Sequence, residues 1–100
     1  MGGYMDFLLK IFKALANEHR IELLRLLLEG KEKEISELSG KLRLPYKTVA
    51  RNLKILEQTN LVNSRRWKGF VYYSLRNEAR LEYNKVLYGL LQKRFQTRHK

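Results

Sequence analysis

The stretch Tyr46-Lys47-Thr48-Val49-Ala50-Arg51-Asn52-Leu53-Lys54-Ile55-Leu56-Glu57, preceded by Leu44-Pro45, decides how this chain is read. Val49, Leu53 and Leu56 stand at i, i+4 and i+7, the spacing of one helical face, so they are expected to point inward. At about 100° per residue, Lys47, Ala50, Arg51, Lys54 and Gln58 fall on the opposite face, with Tyr46 and Thr48 flanking the first turn. The residue before a proline avoids helical backbone, while proline itself suits the first helical position, so this helix is expected to start near Pro45. Its outward face is cationic with a small residue in the middle, a shape that a polyanion can approach closely.

Upstream, Phe7, Leu8, Ile11, Phe12 and Leu15 form a wide apolar stripe on a helix over 4–15. Asn17 is a good N-cap for a second helix over 18–29, carrying Ile21, Leu24, Leu27 and Leu28 and stopped by Gly30. After the charged connection Lys31-Glu32-Lys33, a short third helix over 34–42 puts Ile35, Leu38 and Leu42 on one face. Downstream, Leu61–Trp67 and Phe70–Leu75 are rich in β-branched and aromatic residues and flank Lys68-Gly69, a hairpin signal. Val71, Tyr73 and Leu75 are expected to alternate inward, with Phe70 and Tyr72 on the other face. From Asn77 as N-cap, a long last helix over 78–95 carries Ala79, Tyr83, Val86, Leu87, Leu90 and Leu91, and 96–100 reads as a flexible basic tail.

With 100 residues, the chain has room for one domain. The absence of Cys removes disulfides, thiolate metal sites and Cys nucleophiles, and leaves two His for any imidazole chemistry. The net charge of +11 is unevenly spread. Residues 1–40 hold six Lys or Arg against seven Asp or Glu, residues 41–76 nine against one, and residues 77–100 six against two. Such a concentrated excess implies one surface facing a polyanion, nucleic acid ahead of an anionic membrane. No apolar run approaches the ~20 residues of a membrane span, the N-terminus lacks a secretory pattern, and Asp6 breaks the myristoylation motif that Gly2 would open. A cytoplasmic, nucleoid-associated protein that does not engage membranes is expected.

Four helices, a hairpin and a last helix make a mainly α (α+β) winged helix-turn-helix of order ααααββα, with 34–57 as the helix-turn-helix and 61–75 as the wing. The third helix would cross the DNA backbone while the fourth enters the major groove. There Lys47 and Arg51 address guanine, Tyr46 and Thr48 bond a base or phosphate, and Lys54 meets phosphate. Arg65, Arg66 and Lys68 of the wing reach flanking phosphates or the minor groove.

Phe12-Lys-Ala-Leu-Ala-Asn-Glu-His-Arg-Ile-Glu-Leu-Leu-Arg-Leu-Leu, Ile35-Ser-Glu-Leu, Tyr46-Lys-Thr-Val-Ala-Arg-Asn-Leu-Lys-Ile-Leu-Glu, Leu61-Val and Val71-Tyr-Tyr-Ser-Leu together resemble the arsenical-repressor (ArsR) family of bacterial and archaeal transcription regulators. The resemblance covers residues 7–95, and the family's opening pattern matches Ala14-Leu15-Ala16-Asn17-Glu18-His19-Arg20 well. It implies a homodimer joined through 1–16 and 77–95, binding a pseudo-palindromic operator and usually repressing. Phe7, Leu8, Ile11, Phe12, Tyr83, Val86, Leu87, Leu90 and Leu91 are the expected dimer contacts, since the two stripes exceed what one small core can cover.

The chain departs from the family's metal sensors. Glu32, Glu34 and Glu37 occupy the region where those carry Cys pairs, and Glu78 and Glu82 have no His beside them on the last helix. No metal, no cofactor and no soft-metal sensing are therefore expected, and the effector is unknown. His19 is expected to be a packed or capping residue. Glu57, the one acid in 41–76, is expected to face no His, Ser or second carboxylate, so no hydrolytic or general acid–base constellation can be assembled and no enzyme is expected. Trp67, Phe70 and Tyr72 interleave with wing cations as in single-strand stacking platforms, but are expected to pack on the helix beneath or on a dimer partner. Two alternatives to a site-specific regulator stand beside it: an architectural protein that coats DNA without choosing a site, and a winged-helix module that docks an acidic protein.

Overall fold

The computed structural model describes residues 3–76 and 82–98. In chain order these form α1 (Gly3–Leu15), α2 (Glu18–Leu27), β1 (Lys33–Glu34), α3 (Ile35–Leu42), α4 (Tyr46–Gln58), β2 (Val62–Trp67), β3 (Phe70–Leu75) and α5 (Glu82–Arg98). The fold is a winged helix-turn-helix. Val49, Leu53 and Leu56 of α4 are fully buried against Leu23, Leu24 and Leu27 of α2, Leu38 of α3, and Leu61 and Val62 where the wing begins. Burying each of these aliphatic side chains is worth about 1.5–3 kcal/mol, which fixes the helix-turn-helix as one packed unit.

The turn between α3 and α4 is held by polar contacts at its short span. Arg43 closes α3 in the left-handed region at φ 56°, donating its backbone N–H to the Ser39 carbonyl. The Ser39 hydroxyl in turn donates to the Leu44 carbonyl at 2.6 Å. Pro45 stands one position outside α4, as its N-cap. In the wing, Lys68 and Gly69 both have positive φ, 50° and 83°, as a two-residue primed hairpin turn requires.

Four features differ from the sequence reading. Lys31-Glu32-Lys33 is more than a connection: Lys33 and Glu34 form β1, which pairs antiparallel with Tyr73 and Tyr72 to give a sheet of order β1-β3-β2. Two residues are too few to show an alternating pattern, and Lys33 is buried because its ammonium reaches Glu29 at 3.0 Å. Second, α5 continues through Arg98, past the point where a tail was expected. The expected start of that helix around Asn77, with Ala79, lies outside the described residues, as do 99–100. Third, His19 is exposed, so it is not packed; the cap of α2 is Asn17, whose side chain accepts the Arg20 backbone N–H at 3.1 Å. Fourth, α5 has two apolar faces. Asn84, Tyr88, Leu91 and Phe95 are buried in the chain's own core, whereas Tyr83, Val86 and Leu90 are exposed.

Candidate nucleic-acid interface

The outward side of α4 carries Tyr46, Lys47, Arg51 and Lys54, all exposed, with Thr48 and Ala50 half-buried at its margins. None of the ion pairs among the described residues involves Lys47, Arg51 or Lys54. Their charge is therefore presented to solvent from a helix whose other side is immobilised.

What orients that helix is a residue the wheel left unassigned. Asn52 is buried; its amide nitrogen donates to the Thr48 carbonyl at 2.8 Å, and its oxygen accepts from Arg20 Nη1 at 2.8 Å. The same guanidinium donates from Nε to the Ala14 carbonyl at 2.6 Å and from Nη2 to the Lys13 carbonyl at 3.5 Å, capping the end of α1. Partial burial lowers its pKa from the ordinary value. One guanidinium thus ties α1, the start of α2 and α4 together. The polar residue three positions after Val49, on the inward side of the wheel, was the available signal.

The wing cations have different fates. Arg66 is exposed near the tip. Lys68 Nζ lies 4.5 Å from the centroid of the Trp67 ring. Arg65, expected to reach phosphate, is instead held by Glu32, with Nε at 2.9 and 3.1 Å from the two carboxylate oxygens and a further contact from Nη2. It also covers the Tyr72 ring at 4.9 Å. The Arg65 contact holds the Glu32 carboxyl below the usual carboxylate range. A pairing across more than thirty positions of sequence leaves no local signal.

A second set of bonds links α5 to the base of the wing. Asn84, buried, donates to the carbonyls of Asn60 at 2.8 Å and Arg76 at 3.0 Å. The Tyr88 hydroxyl donates to the Leu61 carbonyl, with the Arg76 carbonyl 3.1 Å away. Burial pushes its pKa up to about 12.

Of the expected dimer contacts, Phe12, Tyr83, Val86 and Leu90 are exposed, Val86 and Leu90 at 71% and 64%. Phe7, Leu8 and Leu87 are half-buried, while Ile11 and Leu91 are buried within the single chain and so do not belong to the free face. Leu9, exposed on α1, was not anticipated. An apolar groove of about 450 Å³ runs between Phe12 and Leu15 on α1 and Leu87 and Leu90 on α5.

Glu57 is not without a Ser neighbour. The Ser64 hydroxyl donates to it at 2.7 Å and the Tyr73 hydroxyl at 3.4 Å, so the carboxylate fastens α4 to the wing. No group of three or more His, Cys, Asp or Glu among the described residues is placed to hold a metal ion. No helix among them is long and apolar enough to cross a membrane.

Residues 17–64, from the cap of α2 into β2, match the model of the arsR family of bacterial regulatory proteins. HlyU from Vibrio cholerae is 30% identical in its solved structure, which superposes with a TM-score of 0.77 over 93% of this chain and 96% of that one. The chain belongs to the ArsR family. A curated relative, the transcriptional activator HlyU of Vibrio cholerae, is 37% identical over 65 residues, 65% of this chain, and that match spans 59% of the relative's length. The homodimeric winged helix-turn-helix DNA-binding domain of Mb0332 from Mycobacterium bovis, a possible ArsR-family transcriptional regulator, is 27% identical, with a TM-score of 0.78 over 96% of this chain and 91% of that one. The ArsR match begins at Asn17 and includes both members of the Arg20–Asn52 pair, the residues that set the pose of α4.

Proposed function

We propose that this ArsR-family chain is a homodimeric, sequence-specific regulator of transcription that places α4 in the major groove of double-stranded DNA. The observation that carries the reading is the contrast across α4: fully buried Val49, Leu53 and Leu56 on one side, and on the other exposed Lys47, Arg51 and Lys54, which form no ion pair among the described residues. Lys47 and Arg51 address guanine edges, Tyr46 and Thr48 bond a base or phosphate, and Lys54 meets phosphate. Arg66 and Lys68 supply wing contacts; Arg65 joins them only on release from Glu32. The protomers pair through Phe12, Tyr83, Val86 and Leu90, with Phe7, Leu8 and Leu87 at the margin, so that two α4 helices meet half-sites about one turn apart. Regulation inside the cell follows from occupancy, repressing where the operator overlaps the promoter.

Selection of duplexes from a random pool by the intact chain tests this. Enrichment of a short pseudo-palindrome is expected, with Arg51→Ala relaxing preference at one position by ~1–3 kcal/mol and Arg66→Ala weakening all sequences alike. Equal recovery of every sequence favours a coating protein; no recovery at ~0.15 M salt favours an acidic protein partner. Val86→Glu with Leu90→Glu is expected to give a monomer by sedimentation and to abolish palindrome preference.

A further inference from the structure

The tip of the wing carries two side chains that neither the core nor the basic surface accounts for. Register pairs Trp67 with Phe70 directly across the strands, next to the pair Arg65 and Tyr72. Directly opposed residues share a face of the sheet and neighbours alternate, so these four lie on the side turned away from buried Val62 and Tyr73. The aromatics therefore do not pack on the helix beneath. Tyr72 is covered by the clamped Arg65 guanidinium, but Trp67 and Phe70 are 53% and 51% exposed. The charged groups at this tip are cationic: Lys68 lies over the indole, and exposed Arg66 precedes Trp67 on the other face of the ribbon. The turn is two residues long, so the aromatic pair forms the narrow end of a two-stranded ribbon.

Resting on the DNA-binding reading, we propose that Trp67, backed by Phe70, is an apolar wedge that enters the minor groove beside the half-site, partly unstacks a base step and bends the duplex. The adjoining charge selects a polyanion. As the indole enters, Lys68 leaves its face for the nearest phosphate. The two rings form a single cross-strand pair rather than a track of successive aromatics, so they suit one base step and not a run of unpaired bases. Flexible pyrimidine–purine steps take the wedge most easily, which gives sequence preference at positions no polar side chain touches. The apolar faces offered to a second copy belong to other elements, α1 and α5.

Ligase-mediated closure of a mixed-sequence duplex of ~100 bp tests the wedge, because such a fragment is shorter than the DNA persistence length of about 150 bp and closes poorly unless bent. Gel retardation of the same fragment reports binding separately. The intact wild-type protein is expected to retard the fragment and raise the yield of closed circles. Trp67→Ala retains retardation within about threefold and loses about tenfold in circle yield at equal occupancy, with Phe70→Ala intermediate. Both side chains are half exposed, and unchanged circular dichroism confirms that the variants fold. Equal circle yields for wild type and Trp67→Ala at equal occupancy overturn the wedge while leaving DNA binding intact, as does tighter wild-type binding to the single strand than to the duplex. A wild-type protein that fails to retard the duplex overturns the DNA-binding reading itself.

Discussion

Replacing Asn52 with Ala separates α4, the helix proposed to enter DNA, from the guanidinium that positions it. Two bonds are lost, both at 2.8 Å: the one from Arg20, with a charged donor, and the one to the Thr48 carbonyl. A bond to a charged group contributes ~1.5–3 kcal/mol and a neutral one ~0.5–1.5, and water reaching the partly exposed Arg20 recovers part of the first. Alanine returns roughly 0.5 kcal/mol of helix propensity, leaving a net loss of about 1.5–2.5 kcal/mol. Arg20→Ala also removes the cap on the Ala14 and Lys13 carbonyls and is expected to cost about 3 kcal/mol. The decisive quantity is the coupling in the double variant, expected at about 1–1.5 kcal/mol because the two residues share one bond. Urea unfolding followed by circular dichroism measures it, at one fixed protein concentration because dimer stability depends on concentration. Coupling below about 0.3 kcal/mol would refute the claim that this pair, rather than core packing alone, sets the pose of α4.

Other variants test separate parts of the structure. Tyr88→Phe removes the hydroxyl donor from the Leu61 carbonyl, which keeps the Arg76 backbone N–H at 3.0 Å, and is expected to cost about 1 kcal/mol by urea titration. Its folded pKa of about 12 lies above the ordinary value of 10, so the stability due to the neutral phenol is complete below pH 10 and lost as pH rises towards 12; Tyr88→Phe should flatten that part of the alkaline stability profile. Arg43→Gly relieves a left-handed residue at the end of α3 and is expected to raise stability by roughly 0.5–1 kcal/mol in thermal melts. Glu32→Gln loosens the hold on Arg65 and removes a negative charge from beside the wing, so duplex affinity at ~0.15 M salt is expected to rise about two- to fivefold, with a steeper salt dependence.

The helices and hairpin were legible because their signals are local. The 49, 53, 56 spacing fixes which side of α4 is dry, and Lys68-Gly69 needs only its own backbone to turn the chain. The failures share a cause, namely partners distant in sequence. β1 is two residues long and exists because β3 offers it an edge. Arg65 looked like a phosphate ligand until Glu32 came to lie beside it. On α5 the periodicity summed two stripes into one, since apolarity alone does not distinguish a side chain packed in its own core from one left for a second copy. Asn84 and Tyr88, polar at the tip and buried in the body, carry no hydrophobic signal yet decide which face of α5 turns inward.

These polar contacts share a further property: they fall at joints between the elements proposed to meet a second copy and those proposed to meet DNA. Arg20 joins the end of α1 to Asn52 of α4, and Asn84 and Tyr88 join α5 to the base of the wing. Apolar packing resists separation of elements but tolerates small rotations, because its energy depends on area rather than direction. A hydrogen bond weakens steeply once its angle departs from alignment, so each joint fixes an orientation that burial alone would leave free. In a twofold dimer an angular error in α1 or α5 is transmitted to α4 and displaces each half-site contact in opposite senses. Small residual tilts would therefore cost discrimination between operator spacings before they cost affinity. Asn84→Ala, which keeps the aliphatic core of α5 and removes two of these bonds, is expected to let the dimer accept half-site spacings one base pair shorter or longer with nearly equal affinity. Unchanged spacing preference in a folded Asn84→Ala dimer would assign that discrimination to α4 alone.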